Sequence, residues 1–140
     1  MRFVDTNVLL YAISTAPDEA DKAASARRIL EEGNLALSVQ VLQEFYVQAT
    51  RATRADRLSH QQASWLVESW LRFPVQETTV PLMKSAAETA QRHHVSYWDA
   101  AILEAARVLG CRTVLSEDFV HGRSFDGVVV ENPFRRSAAS

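Results

Sequence analysis

Short apolar segments alternate with longer segments of helical periodicity along this chain, and this alternation limits its fold more than any other feature. Five segments have the length and character of strands: 2–5, 35–38, 75–78, 112–115 and 128–131. The predicted helices are 6–11, 18–32, 39–54, 59–73, 81–93 and 96–109, and four of them begin at a capping residue: Asp18, Ser38, Ser59 and Ser96. Strands joined through helices form right-handed crossovers and a parallel sheet covered on both faces. The pattern therefore predicts an α/β fold with a central, mainly parallel sheet.

Composition limits the class of protein further. The 140 residues, 47% of them hydrophobic, suit one domain, residues 1–140, that buries its core without disulfides. The single cysteine, Cys111, excludes an internal disulfide and a zinc site built from several cysteines. The formal net charge of −2 excludes a generally basic protein that coats nucleic acid. The apolar run 8–13 is too short for a signal peptide or a membrane span, so we expect a cytoplasmic protein without membrane attachment.

Four carboxylates lie close to predicted strand-to-helix transitions. Asp5 ends the first strand, and Asp118 follows the strand that ends at Leu115. Asp99 lies in the first turn of a predicted helix, and Glu44 lies in the second turn of another. In parallel sheets the ligand crevice lies beyond the carboxyl ends of the strands. Clustered carboxylates need a cation, and oxygen ligands without cysteine or histidine suit Mg²⁺ or Mn²⁺.

Each carboxylate taken alone also has a purely structural interpretation. Asp5 suits the N-cap of the next helix, Asp118 suits a turn, and Asp99 fits a capping box that begins at Ser96. Glu44 shares a helical stripe with polar neighbours that are typical of a solvated face: Gln40, Gln48 and Arg51. The functional hypothesis therefore depends on the convergence of the four side chains at one edge of the sheet.

Four motifs together resemble the PIN domain family, and more narrowly its VapC-type toxins. They are Asp5-Thr6-Asn7 after the first strand, Glu44 within 41–45, Asp99 within 97–100 at the start of a helix, and Asp118 within 115–119 after a strand. The resemblance implies a PIN-like α/β/α sandwich and a Mg²⁺- or Mn²⁺-dependent endoribonuclease. It identifies Asp5, Glu44, Asp99 and Asp118 with the acidic quartet of the family, and Thr6, Asn7 and Ser116 with the polar positions beside it. The spacing from Ser116 favours Asp118 over Glu117.

The hypothesis that follows is metal-assisted hydrolysis of RNA phosphodiester bonds. Asp5 and Asp99 would hold the principal metal, with Asp118 bound directly or through water. Glu44 would complete a second metal site or orient the attacking water. The resemblance further implies structured RNA such as tRNA or rRNA as substrate, a VapB-like antitoxin as partner, and a homodimer.

Arginines and tryptophans are the side chains to consider for contacts with RNA, and only the arginines form a candidate set. Arg51, Arg54 and Arg57 are spaced by three and form either a ridge for phosphate or a solvated helix end. Trp65, Trp70 and Trp98 are too scattered along the sequence to predict a base-stacking platform. The helix that carries the first two tryptophans is apolar over much of its circumference, which indicates core packing or a partner interface.

Three other functions remain open from the sequence. A haloacid-dehalogenase-like phosphatase also has an aspartate after its first strand, but Asn7 stands where its second aspartate is required. A non-catalytic PIN-like module would bind RNA or protein without turnover, although a pure binder has no need of a repulsive acidic cluster. A PIN nuclease of RNA processing would act without an antitoxin.

Overall fold

A six-stranded sheet forms the centre of the computed structural model, which describes residues 1–135. The strands are β1 (Arg2–Val4), β2 (Leu35–Ser38), β3 (Val75–Gln76), β4 (Thr113–Leu115), β5 (Ser124–Phe125) and β6 (Val128–Glu131). Their order is β3-β2-β1-β4-β6-β5, and every neighbouring pair is parallel except β5 with β6. The last five residues of the predicted domain lie outside the described part of the chain.

Helices flank this sheet in an α/β/α arrangement, which confirms the predicted fold class. They are α1 (Thr6–Ala12), α2 (Ala20–Glu32), α3 (Val39–Ala49), α4 (His60–Trp70), α5 (Val80–His93) and α6 (Tyr97–Val108). Three of the expected caps form as predicted, because the hydroxyls of Ser38, Ser59 and Ser96 accept hydrogen bonds from backbone N–H groups in the first helical turn. None of the described helices is both long enough and apolar enough to cross a membrane.

The central strands are buried on both faces, as expected of a parallel sheet between two helical layers. Phe3 and Val4 of β1 are fully buried, and all four residues of β2 are buried. In β6, by contrast, Val128 and Val130 are buried while Val129 is exposed, so only one face of this strand is covered.

The strand order reverses between β1 and β4. The chain places β2 and β3 on one side of β1 and then returns to place β4 on the other side. The backbone N–H of Asp5 donates to the carbonyl of Leu115 at 3.0 Å and ties the two strand ends together. Ligands of open α/β sheets bind at such a reversal, beyond the carboxyl ends of the strands.

The structure corrects several of the predicted elements. Helix α3 ends at Ala49 instead of residue 54, because Thr50 Oγ1 donates to the Tyr46 carbonyl at 2.7 Å and the Leu58 N–H donates to the Ala49 carbonyl at 2.8 Å. Asp18 does not cap α2, since it lies inside a short 3₁₀ turn that precedes the helix. Strand β5 was not predicted, because its two residues become a strand only by pairing with β6.

Candidate active site

Asp5 is the most buried of the four predicted acids, with 4% of its surface exposed. It follows β1 directly and is the N-cap of α1. Its Oδ1 accepts a hydrogen bond from the Thr6 N–H at 2.7 Å, and its Oδ2 accepts one from Ser116 Oγ at 2.7 Å. The structural role of Asp5 as an N-cap and its proposed role as a metal ligand are therefore compatible, because the capping carboxylate also faces the crevice between β1 and β4.

Burial raises the pKa of Asp5 from 3.8 to about 7. The hydrogen bonds from Ser116 and Thr6 lower this pKa, whereas the negative charges of Asp118 and Glu44 raise it further. Both of these neighbouring charges are negative. A cation bound at this carboxylate would therefore stabilise its ionised form.

Glu44 is held toward this crevice by hydrogen bonds to both of its carboxylate oxygens. Thr6 Oγ1 donates to Oε2 at 2.8 Å, and Gln40 Nε2 donates to Oε1 at 3.1 Å. The contact with Thr6 of α1 shows that Glu44 does not lie on a freely solvated helix face. The predicted polar position Thr6 thus links the first acid of the chain to the second.

Asn7 joins α1 to the segment that follows β4. Its Nδ2 donates to Ser116 Oγ and to Asp118 Oδ2, both at 3.1 Å, and its Oδ1 accepts from the Glu117 N–H at 3.3 Å. The Asp118 N–H also donates to Ser116 Oγ at 3.1 Å. One network of hydrogen bonds therefore positions Asp5, Ser116 and Asp118.

Asp99 lies in the first turn of α6, where its N–H donates to the Ser96 hydroxyl at 3.0 Å. Burial raises the pKa of Asp99, a hydrogen bond with Ser96 lowers it, and the charges of Asp118 and Glu44 raise it. The same two negative charges thus act on Asp5 and on Asp99. The structure brings all four predicted acids into one electrostatic environment.

Glu117 faces a different set of side chains from Asp118. It forms an ion pair with Lys22, whose Nζ lies 2.9 Å from its Oε2, and it accepts a hydrogen bond from the Tyr11 hydroxyl. Lys22 Nζ also donates to the Tyr11 oxygen at 3.2 Å. The cationic partner neutralises Glu117, which supports the choice of Asp118 as the functional acid.

The three arginines do not form a helical ridge, because α3 ends before them. Arg54 Nε lies 2.9 Å from Asp56 Oδ1 in an ion pair, so part of its charge is already neutralised. Arg51 and Arg57 are exposed in the segment between α3 and α4. Their contact with RNA stays a prediction.

Within residues 1–135, no three His, Cys, Asp or Glu side chains converge as a ready-made metal-binding group. The donor set nevertheless fits a hard divalent cation. It consists of carboxylate oxygens, and the pKa of the most buried carboxyl, Asp5, is raised by burial and further by its acidic neighbours. Mg²⁺ keeps several waters and binds through only one or two carboxylates, so it does not require a closed protein cage.

Sequence reasoning missed the role of two residues at this site. Gln40 was assigned to a solvated stripe, but it supports Glu44 four residues further along α3, a spacing that places the two side chains on one helix face. Lys22 had no signal in the sequence, because its partner Glu117 is distant along the chain.

The fold and the acidic crevice together define an α/β protein whose candidate site lies at the strand reversal of a parallel sheet. Residues 2–123 match the family model described as PIN domain, and the chain belongs to the PIN domain family. This membership confirms the resemblance drawn from the sequence and excludes the phosphatase alternative. No curated protein sequence matches this chain.

Several solved structures share the fold at low sequence identity. VapC20 from Mycobacterium tuberculosis, a sarcin–ricin loop cleaving toxin, is 20% identical with a TM-score of 0.65, over 84% of this chain and 92% of its own. A toxin–antitoxin complex from Klebsiella pneumoniae is 17% identical with a TM-score of 0.72, over 97% of this chain and 100% of its own. FitAcB from Neisseria gonorrhoeae is 20% identical with a TM-score of 0.65, over 97% of this chain and 100% of its own. At these identities the likeness establishes the fold alone.

Proposed function

We propose that this protein is a divalent-metal-dependent endoribonuclease, the toxin of a toxin–antitoxin pair of the VapC type. The observation that carries the proposal is the buried Asp5, which lies at the strand reversal, shares Ser116 as a hydrogen-bond partner with Asp118, and lies in the field of Asp118 and Glu44. Membership in the PIN domain family supports a nuclease, and fold neighbours that are toxins support the narrower assignment.

Asp5 and Asp99 would hold Mg²⁺ or Mn²⁺, with Asp118 bound directly or through water. When bound, such an ion neutralises charge on a phosphodiester and lowers the pKa of a coordinated water. Thr6, Asn7 and Ser116 hold the carboxylates in place, because each donates a hydrogen bond to at least one of them.

Glu44 is the acid best placed to orient the attacking water or to complete a second metal site. Its two oxygens are fixed by donors on different helices, Thr6 on α1 and Gln40 on α3. A carboxylate held in this way loses little conformational freedom when it binds a water or an ion. Attack by water on phosphorus, with cleavage of the P–O3′ bond and protonation of the departing 3′ oxygen, leaves a 5′-phosphate and a 3′-hydroxyl.

We also propose the partners and the assembly that the family resemblance implies. The chain would form one domain, residues 1–140, act in the cytoplasm on structured RNA such as tRNA or rRNA, form a homodimer and bind a VapB-like antitoxin. Exposed apolar side chains on α3 and α4 support a protein partner: Val47 is 55% exposed and Trp65 is 71% exposed. A groove of about 590 Å³ lies between these helices, lined in part by Leu42, Tyr46 and Val67.

The proposal is tested by incubating the purified chain with total tRNA and rRNA in Mg²⁺, in Mn²⁺ or in a chelator. We expect discrete cuts that require the metal, that are absent from Asp5→Ala and Asp118→Asn, and that are retained by Glu117→Gln. The last variant is the matched control, since Glu117 is paired with Lys22. Metal binding by folded, antitoxin-free protein without cleavage of either RNA would contradict the proposal and favour a binding module.

A further inference from the structure

A cleft of about 470 Å³ lies beside the acidic crevice, between α3 and the start of α6. Its volume is within the range of sites that bind small molecules or parts of larger ligands. Its lining includes Gln40, Gln43, Glu77, Tyr97 and Trp98. Trp98 immediately precedes Asp99 and is 64% exposed, which is unusual for so large an apolar side chain.

One side chain forms the boundary between this cleft and the acids. Gln40 Nε2 donates to Glu44 Oε1 at 3.1 Å and to the Trp98 carbonyl at 3.2 Å. The amide group of Gln40 therefore contacts the acidic site on one side and the residue that carries the exposed indole on the other. A ligand that reaches Glu44 can place its neighbouring part in the cleft without leaving the protein surface.

The cleft offers surfaces for a flat, uncharged ring. The indole of Trp98 packs edge-to-face on the Tyr97 ring, with 5.0 Å between the centroids and 80° between the planes. This contact orients the indole while most of its surface stays exposed. Gln43 is exposed in the same cleft and carries both a hydrogen-bond donor and an acceptor.

The charges of the cleft disfavour a phosphate group. Among residues 1–135, those that line it include Glu77 and no lysine or arginine, and Glu44 is hydrogen-bonded to Gln40. A phosphate at this position would face negative charge without a cationic partner, whereas a neutral heterocycle would not. Aromatic faces bind unpaired bases by stacking, and polar side chains beside them bind the edges of those bases.

We propose that this cleft binds an unpaired nucleobase of the RNA substrate, next to the phosphodiester at the acidic site, with the base stacked on Trp98 and its edge hydrogen-bonded to Gln43. The proposal rests on the proposed nuclease function and adds a specificity-determining subsite to it. It also revises the expectation from the sequence, because Trp98 needs no second tryptophan to form a stacking surface beside the acids.

The test measures binding in a chelator, so that no cleavage occurs. The probes are a fluorescein-labelled RNA tetranucleotide and an oligomer with the same backbone but no bases. The variants are Trp98→Ala and, as matched control, Trp65→Ala, which removes an equally exposed tryptophan from α4. Base stacking contributes about 1–3 kcal/mol per base, so we expect Trp98→Ala to bind the tetranucleotide roughly 5- to 150-fold more weakly. Binding of the base-free oligomer, and binding by Trp65→Ala, should not change.

Equal affinity of the native chain and Trp98→Ala for the tetranucleotide would overturn the subsite, as would a native chain that does not distinguish it from the base-free oligomer. A change of oligomeric state in Trp98→Ala, measured by sedimentation, would overturn it in favour of an interface between two copies. Failure of the proposed nuclease function gives a different result from failure of the base-binding subsite. In that case the native chain cuts no RNA in Mg²⁺ or Mn²⁺, while base-dependent binding still requires Trp98.

Discussion

Replacing Asp5 with asparagine should stabilise the metal-free protein by an amount that grows with pH. The unfolded carboxyl ionises near 3.8, whereas burial and the charges of Glu44 and Asp118 raise the folded pKa to about 7. Between these values the folded chain binds a proton that the unfolded chain has released. The stability of the native protein therefore falls as pH rises from about 4 to 7, and the fall levels off above the folded pKa.

The size of this effect follows from the two pKa values. Each pKa unit corresponds to about 1.4 kcal/mol, so the cost of ionising Asp5 reaches about 4 kcal/mol near pH 8. At about pH 5 the same cost in folding free energy is only about 2 kcal/mol, because the unfolded carboxyl is ionised while the folded one is still mostly protonated. Asparagine carries no such cost, so the advantage of Asp5→Asn over the native chain should grow by about 2–3 kcal/mol between these two conditions.

The change with pH in the stability difference between Asp5→Asn and the native chain is a better measure than the stability difference at either pH alone. Ser116 Oγ already accepts hydrogen bonds from Asn7 and from the Asp118 N–H, and the new amide would present a third donor to it. That local cost does not depend on pH, so it cancels when the two pH values are compared.

The assay is chemical denaturation of both chains in a chelator at about pH 5 and about pH 8, with Glu117→Gln as the control for loss of a paired acid. If the stability that Asp5→Asn gains over the native chain stays constant with pH, or shrinks as pH rises, then burial does not raise the pKa of Asp5.

Three other perturbations have defined outcomes. Phe45→Ala should lose about 3–5 kcal/mol of unfolding free energy, because the ring is fully buried against Trp70; a loss below about 1 kcal/mol in denaturation would contradict this packing. Lys22→Met should lose less than about 1 kcal/mol and keep RNA cleavage, because its ion pair with Glu117 is partly exposed; loss of cleavage would give the pair a role in the reaction. Adding Mn²⁺ at about 100 times its dissociation constant should stabilise the native chain by about 2.7 kcal/mol and Asp5→Ala by far less; equal thermal shifts would place the metal elsewhere.

The fold class was predictable because its signals are local. Each of the apolar runs of β1, β2, β4 and β6 consists of consecutive residues, and each serine cap directly precedes its helix. Each signal is therefore interpretable without knowledge of the rest of the chain. Parallel pairing then places the ends of β1 and β4 at one sheet edge. Asp5 and Asp118 follow those ends, so their convergence was predictable from order alone.

The contacts that were not predicted depend on residues that are distant in sequence. Gln40 meets the Trp98 carbonyl across 58 positions, and Lys22 meets Glu117 across 95. Strand β5 forms only by pairing with β6, and α3 ends early through bonds that include one from Leu58. No local pattern encodes such contacts, because each of them depends on tertiary packing that overrides propensity.

Mapping the ends of the RNA products tests the central claim most directly. We expect fragments with a 5′-phosphate and a 3′-hydroxyl, produced with Mg²⁺ or Mn²⁺ and absent with a chelator or with Asp5→Ala. Fragments that end in a 2′,3′-cyclic phosphate would contradict the proposed mechanism, because they require attack by the ribose hydroxyl instead of water. Cuts that persist without metal would contradict it as well, because they would not depend on the ion that the carboxylates are proposed to hold.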